Sequence, residues 1–149
     1  MGQLILPSSS TIAIDTSVVI YTIEGHLDYY SLLEPLWSKF YTGEIKIVSS
    51  ELILMEVLVL PLRHGDNSLV EDYEELLLSH QMQLVAISRF LLKQAANLRA
   101  STNLKTPDAI HAVTALSVGC NQFITNDKGF RNVPELPVVI LSEVLASQP

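Results

Sequence analysis

The chain has 149 residues, 48% hydrophobic and 17% charged. This is too apolar for a disordered chain and suits one domain over 1–149, with a core at about 11–141. One cysteine, Cys120, excludes a disulfide framework or a multi-cysteine zinc site, and the net charge of −7 excludes a basic groove for nucleic acid unless divalent metal reverses the local sign.

The first residues, from Gly2 to Pro7, carry no basic leader and only a short apolar run, and the apolar stretch from Leu52 to Leu62 is broken by Glu56 and Pro61. Neither reads as a signal peptide or membrane span, so a soluble, cytoplasmic protein is expected. Residues 11–14 read as a short buried strand. A helical pattern follows through Tyr29, Leu32, Leu33, Leu36 and Phe40, where Pro35 either kinks the helix or marks its start. Residues 44–48 form a second strand after the Gly43 stop. A helix over 50–59 should end before Pro61. Asp66 can cap a helix that carries Leu69, Tyr73, Leu76 and Leu77 on one face.

A third strand is expected at 84–87, and Ser88 can cap the next helix, to about Ala100. Thr106 as N-cap, Pro107 at the first helical position and Gly119 as C′ bound a helix with a stripe of Ile110, Val113, Thr114 and Ser117. Strands at 122–125 and 138–141 complete the pattern. Strands alternating with helices predict a three-layer α/β/α sandwich with a mostly parallel sheet.

Ligands of open α/β sheets bind beyond the carboxyl ends of the strands. Asp15 closes the first strand and Asp127 follows the fourth by two residues, which places both at one sheet edge. Asp108 lies in the first turn of its helix. Glu56 sits in an apolar run where an unpaired charge is expensive. Each has a plainer role: Asp15 as the cap of a helix from Ser17, Asp108 on a helix dipole, Asp127 as a turn former. Together they form an oxygen-rich set that suits Mg²⁺ or Mn²⁺. Four crowded carboxylates should have raised pKa values. Glu51 is expected to serve only its helix dipole. His26, His64, His80 and His111 are scattered, with His111 one turn beyond Asp108 and expected to be packed or at the surface. Arg99, Lys105, Lys128 and Arg131 could hold phosphates or partner the acids.

The ordered set of Ile12–Ser17, Ser50 to Glu56, Thr106–Ala112 and Thr125–Asp127 resembles the PIN-domain family, above all the VapC-type toxin ribonucleases. The resemblance implies that Asp15, Glu56, Asp108 and Asp127 are catalytic, metal-binding acids. It also implies Mg²⁺- or Mn²⁺-dependent endonucleolytic cleavage of RNA, a homodimer and an antitoxin partner. Thr125 matches the family's hydroxyl position near the last acid, and Thr16 is a further candidate beside the site. With no paired His acid and base, hydrolysis by activated water is expected. The alternative is a non-catalytic PIN-fold module that binds RNA or protein.

Overall fold

The computed structural model describes residues 2–147. In chain order the elements are β1 (Thr11–Ile14), α1 (Thr16–Ile23), α2 (Tyr30–Tyr41), β2 (Lys46–Ser50), α3 (Leu52–His64), α4 (Asn67–Leu77) and β3 (Gln83–Val85). They continue with α5 (Arg89–Ser101), α6 (Thr106–Ser117), β4 (Gln122–Thr125), a 3₁₀ turn (Lys128–Asn132), β5 (Val138–Ile140) and α7 (Leu141–Ala146). The strands pair in parallel in the order β3-β2-β1-β4-β5. The expected α/β/α fold class is the one observed. No helix among the described residues is long and apolar enough to cross a membrane.

The period-two alternation of the strands divides the core between the two faces of the sheet. Ile12 and Ile14 of β1 join Ile47 and Ile124 under α1, α2, α3 and α4, where Val19, Leu33, Leu36, Ile53 and Tyr73 are buried. Ala13 and Phe123 point the other way, against Leu91 and Ala95 of α5, Ile110 and Val113 of α6, and Phe130. Each fully buried Ile or Leu contributes about 1.5–3 kcal/mol. The chain leaves β1 toward β2 on one side and returns to β4 on the other. Their carboxyl ends therefore flank the topological switch point, where such sheets form crevices.

Several expected boundaries move. The second strand runs over Lys46–Ser50, because Gly43 at φ +81° turns the chain and the strand starts only after Ile45. The third ends at Val85, and the fifth at Ile140, where Leu141 opens α7. The helix expected to stop before Pro61 continues to His64, and Gly65 at φ +66° ends it. Pro61 lies in the last turn, where it forfeits one amide bond while its carbonyl still accepts from Asp66 N at 2.9 Å. Pro35 likewise sits inside α2 and does not begin it. Asp66 and Ser88 cap as expected, accepting from Leu69 N and Leu91 N.

The N-cap of α6 is Lys105, not Thr106. Thr106 is already helical, and its hydroxyl accepts from Arg99 Nη1 at 3.0 Å. The expected single stripe on α6 is also too narrow. Every residue from Ala109 to Ala115 is buried while Ser117 is exposed, because α3, α5 and β2 enclose the helix.

Candidate active site

Asp15 follows β1 directly and does two jobs. Its Oδ1 caps α1 by accepting from Ser17 N at 3.1 Å and from Ser17 Oγ at 2.6 Å. Its Oδ2 accepts from Thr125 Oγ1 at 2.5 Å, which ties the end of β1 to the end of β4. Thr125 is fully buried, and its Oγ1 in turn accepts from Asp127 N at 3.0 Å. One hydroxyl therefore joins two of the acids. Burial pushes the Asp15 carboxyl above its ordinary range, although hydrogen bonds from Ser17 and Thr125 and the nearby His111 oppose the shift.

Glu56 is reached from two sides. Thr16 Oγ1 donates to its Oε1 at 2.7 Å, and His111 Nε2 donates to the same oxygen at 2.5 Å. Burial raises the Glu56 carboxyl, but the hydrogen bonds from His111 and Thr16 and the imidazole's charge outweigh it, so the net shift is downward. The expectation of four raised acids therefore fails here, because hydrogen bonds from His111 and Thr16 favour the charged form. His111 is 3% exposed, and its Nδ1 has no partner among the described residues. It is packed, as the sequence led one to expect, but it also belongs to the site. Two signals pointed to it: its place one turn after Asp108, and an apolar helix that otherwise offers Glu56 no partner.

Asp108 is half-buried in the first turn of α6. Burial raises its carboxyl, and the negative charges of Asp127, Asp15 and Glu56 add to the shift against the opposing His111. Hydrogen bonds link the set: Thr125 joins Asp15 to Asp127, Thr16 beside Asp15 donates to Glu56, and His111, one turn after Asp108, bonds the same Glu56 oxygen. Asp127 is exposed, and its Oδ1 accepts from Gly129 N at 2.8 Å, so its turn-forming role is also real. Glu51 stays outside, accepting from Ile87 N.

The donors are hard carboxylate oxygens with uncompensated negative charge around Asp108, which fits Mg²⁺ or Mn²⁺ by chemistry. Among the described residues no three His, Cys, Asp or Glu side chains are set to hold one ion as they stand. Several of the oxygens are tied to protein donors instead. A cavity of about 600 Å³ between α1, α2 and α4 is lined by Thr22, Trp37, Glu34 and Asp72 and by none of the four acids. Of the candidate cations, Arg99 is held by Leu104 O and Thr106, and Arg131 pairs with Glu143.

The PIN domain family model matches residues 12–136 of the chain. No curated protein sequence matches it. Among solved structures, VapBC2 from Rickettsia felis bound to a promoter DNA fragment aligns with TM-score 0.68 and 19% identity, covering 87% of this chain and 98% of that one. VapC20 from Mycobacterium tuberculosis, a sarcin–ricin loop cleaving toxin, aligns with TM-score 0.67 and 17% identity, over 80% and 92%. A toxin–antitoxin complex from Klebsiella pneumoniae aligns with TM-score 0.64 and 24% identity, over 86% and 95%.

Proposed function

The chain belongs to the PIN-domain family, and on that premise we propose that it is a Mg²⁺- or Mn²⁺-dependent endoribonuclease, the toxin of a toxin–antitoxin pair. The observation that carries the proposal is the set of hydrogen bonds through Thr125, Thr16 and His111 that ties Asp15, Asp127 and Glu56 together beside Asp108, whose carboxyl the other acids push upward. A purely structural edge gains nothing from that repulsion. The proteins that share this fold include a sarcin–ricin loop cleaving toxin and a toxin–antitoxin complex, which support the same reading.

Asp15, Asp108 and Asp127 would hold the metal, with Glu56 completing the set. When bound, a divalent ion neutralises the scissile phosphate and lowers the pKa of an attacking water. The protein's own share is orientation. Ser17 and Thr125 fix Asp15. Thr16 and His111 both occupy Oε1 of Glu56, which leaves Oε2 as the oxygen without a protein donor among the described residues. His111 acts through Glu56 as a positioning residue. His111 is buried, its unpartnered Nδ1 included, so neither ring nitrogen is open to an RNA 2′-hydroxyl, and water is the proposed nucleophile.

For partners, we propose RNA as substrate, an antitoxin protein as inhibitor and a second copy of this chain. Met55, Val59, Leu60 and Leu62 leave α3 with an exposed apolar face, each between 44% and 61% exposed, which a second copy could cover. The test of function is cleavage of single-stranded RNA. It should require Mg²⁺ or Mn²⁺, stop in excess chelator and fall by orders of magnitude in Asp108→Asn at nearly unchanged melting temperature. Cleavage that persists in chelator contradicts the proposal. Binding of RNA without cleavage in any metal favours the non-catalytic module.

A further inference from the structure

The net charge of −7 leaves an RNA strand little to be attracted to, and two of the four candidate cations are already bound within the fold: Arg99 to Leu104 and Thr106, Arg131 to Glu143. Beyond what a bound metal ion, Lys105 and Lys128 supply, affinity for a single strand can come from the faces of its bases, which aromatic side chains hold without a basic groove. Next to the acids there is such a surface. Asn126, between Thr125 and Asp127, donates from Nδ2 to Tyr21 Oη at 3.1 Å, and its Oδ1 accepts from Ser142 N at 2.9 Å. This locks the Tyr21 hydroxyl beside the residues that carry two of the site's hydrogen bonds.

From there the Tyr21 ring stacks on Tyr29, with centroids 4.8 Å apart and planes at 25°. His26 touches both rings, at 4.7 Å and 4.9 Å. Its own ring is held, because Nδ1 accepts from Asp28 N at 3.1 Å in a turn opened by Gly25 at φ +67°. The two tyrosines are half-buried against the core, whereas His26 is exposed and neighbours Leu27, which is 97% exposed. A packed anchor and a solvent-facing aromatic edge, tied through Tyr21 to Asn126 beside Asp127, make a rigid place for a planar ligand.

We propose that Tyr21, His26 and Tyr29 form a stacking subsite for an unpaired nucleobase flanking the scissile phosphate. The subsite rests on the nuclease reading above and adds to it how an acidic protein holds a single strand. Stacking reads the π-face, so the subsite selects unpaired over paired RNA and discriminates little among bases.

The test is fluorescence anisotropy of a labelled single-stranded oligoribonucleotide, intact or with one abasic position moved along it, in Ca²⁺, which suits the same oxygen donors. His26→Asn keeps an acceptor for Asp28 N and removes the ring; His26→Phe restores a ring. Wild type should lose affinity at one abasic position. His26→Asn should weaken the intact strand about fivefold or more, abolish that abasic difference, and be rescued by His26→Phe. A tyrosine-based check is Tyr29→Leu, which should repeat the pattern if it remains folded by circular dichroism. Equal affinities for wild type and His26→Asn, or equal losses on intact and abasic strands, overturn the subsite and leave the nuclease reading standing. Failure of wild type to bind any RNA overturns both.

Discussion

Asp15 and Glu56 occupy the same sheet edge and each accepts a threonine hydroxyl, yet their carboxyls shift in opposite directions. Asp15 is buried where β1 meets β4 and has hydroxyl and amide donors, but no direct cation. Burial wins, and its charged form is penalised. Glu56 lies between α3 and α6, accepts from an imidazole, and ends below its ordinary value. The difference teaches that the site has two halves. One half, around Asp15 and Asp108, holds negative charge in want of a counter-ion, and the other has strong hydrogen-bond donors built in.

The comparison breaks most visibly at His111. His111→Ala leaves Glu56 with only Thr16 and opens a small cavity in α6, and should cost about 1–3 kcal/mol at neutral pH, read by chemical denaturation. A loss no larger than that of a surface substitution would mean that the imidazole does not sustain Glu56.

The same contact sets a pH dependence. A folded-state value below the unfolded 4.5 means that Glu56 stabilises the fold above the unfolded value and that this contribution fades as pH falls through the folded one. Between neutral pH and that acid limit, wild type should lose more stability than His111→Ala. Parallel curves would mean that His111 does not hold Glu56 below its ordinary value.

Helix caps sharpen the contrast on a smaller scale. Asp66→Ala removes a bond to Leu69 N and should cost about 1 kcal/mol. Thr106→Ala, which removes only an exposed bond from Arg99, should cost less than Asp66→Ala, and thermal unfolding of the two variants ranks them.

Most of this was legible in the sequence. Alternating strands and helices with the apolar runs of residues 11–14 and 122–125 fixed the architecture, because buried parallel strands have few other readings. The positions of Asp15 and Asp127 followed from strand ends alone. Pro61 misled, since a missing amide bond in the last turn of a helix is cheaper than the packing of Pro61 itself, whereas Pro35 lies inside α2, one of its two expected places. Thr106 misled because capping depends on the backbone angle of one residue, which composition does not set. The tie between Glu56 and His111 is a tertiary contact between helices 55 residues apart in sequence, and periodicity says nothing about which faces meet.

Thermal unfolding of wild type and Asp15→Asn, each in chelator and in Mn²⁺ at neutral pH, tests the unmet half of the site most directly. Asparagine can still cap α1, so the substitution removes charge more than structure. A raised folded-state value means that Asp15 opposes folding once pH climbs through its unfolded value, and the penalty is complete above the folded one. In chelator Asp15→Asn should therefore melt above wild type. Mn²⁺ should stabilise wild type by about 2.7 kcal/mol at a hundredfold excess over Kd, and the variant by much less. A variant that melts below wild type in chelator and keeps the full Mn²⁺ response would make Asp15 a helix cap and nothing more.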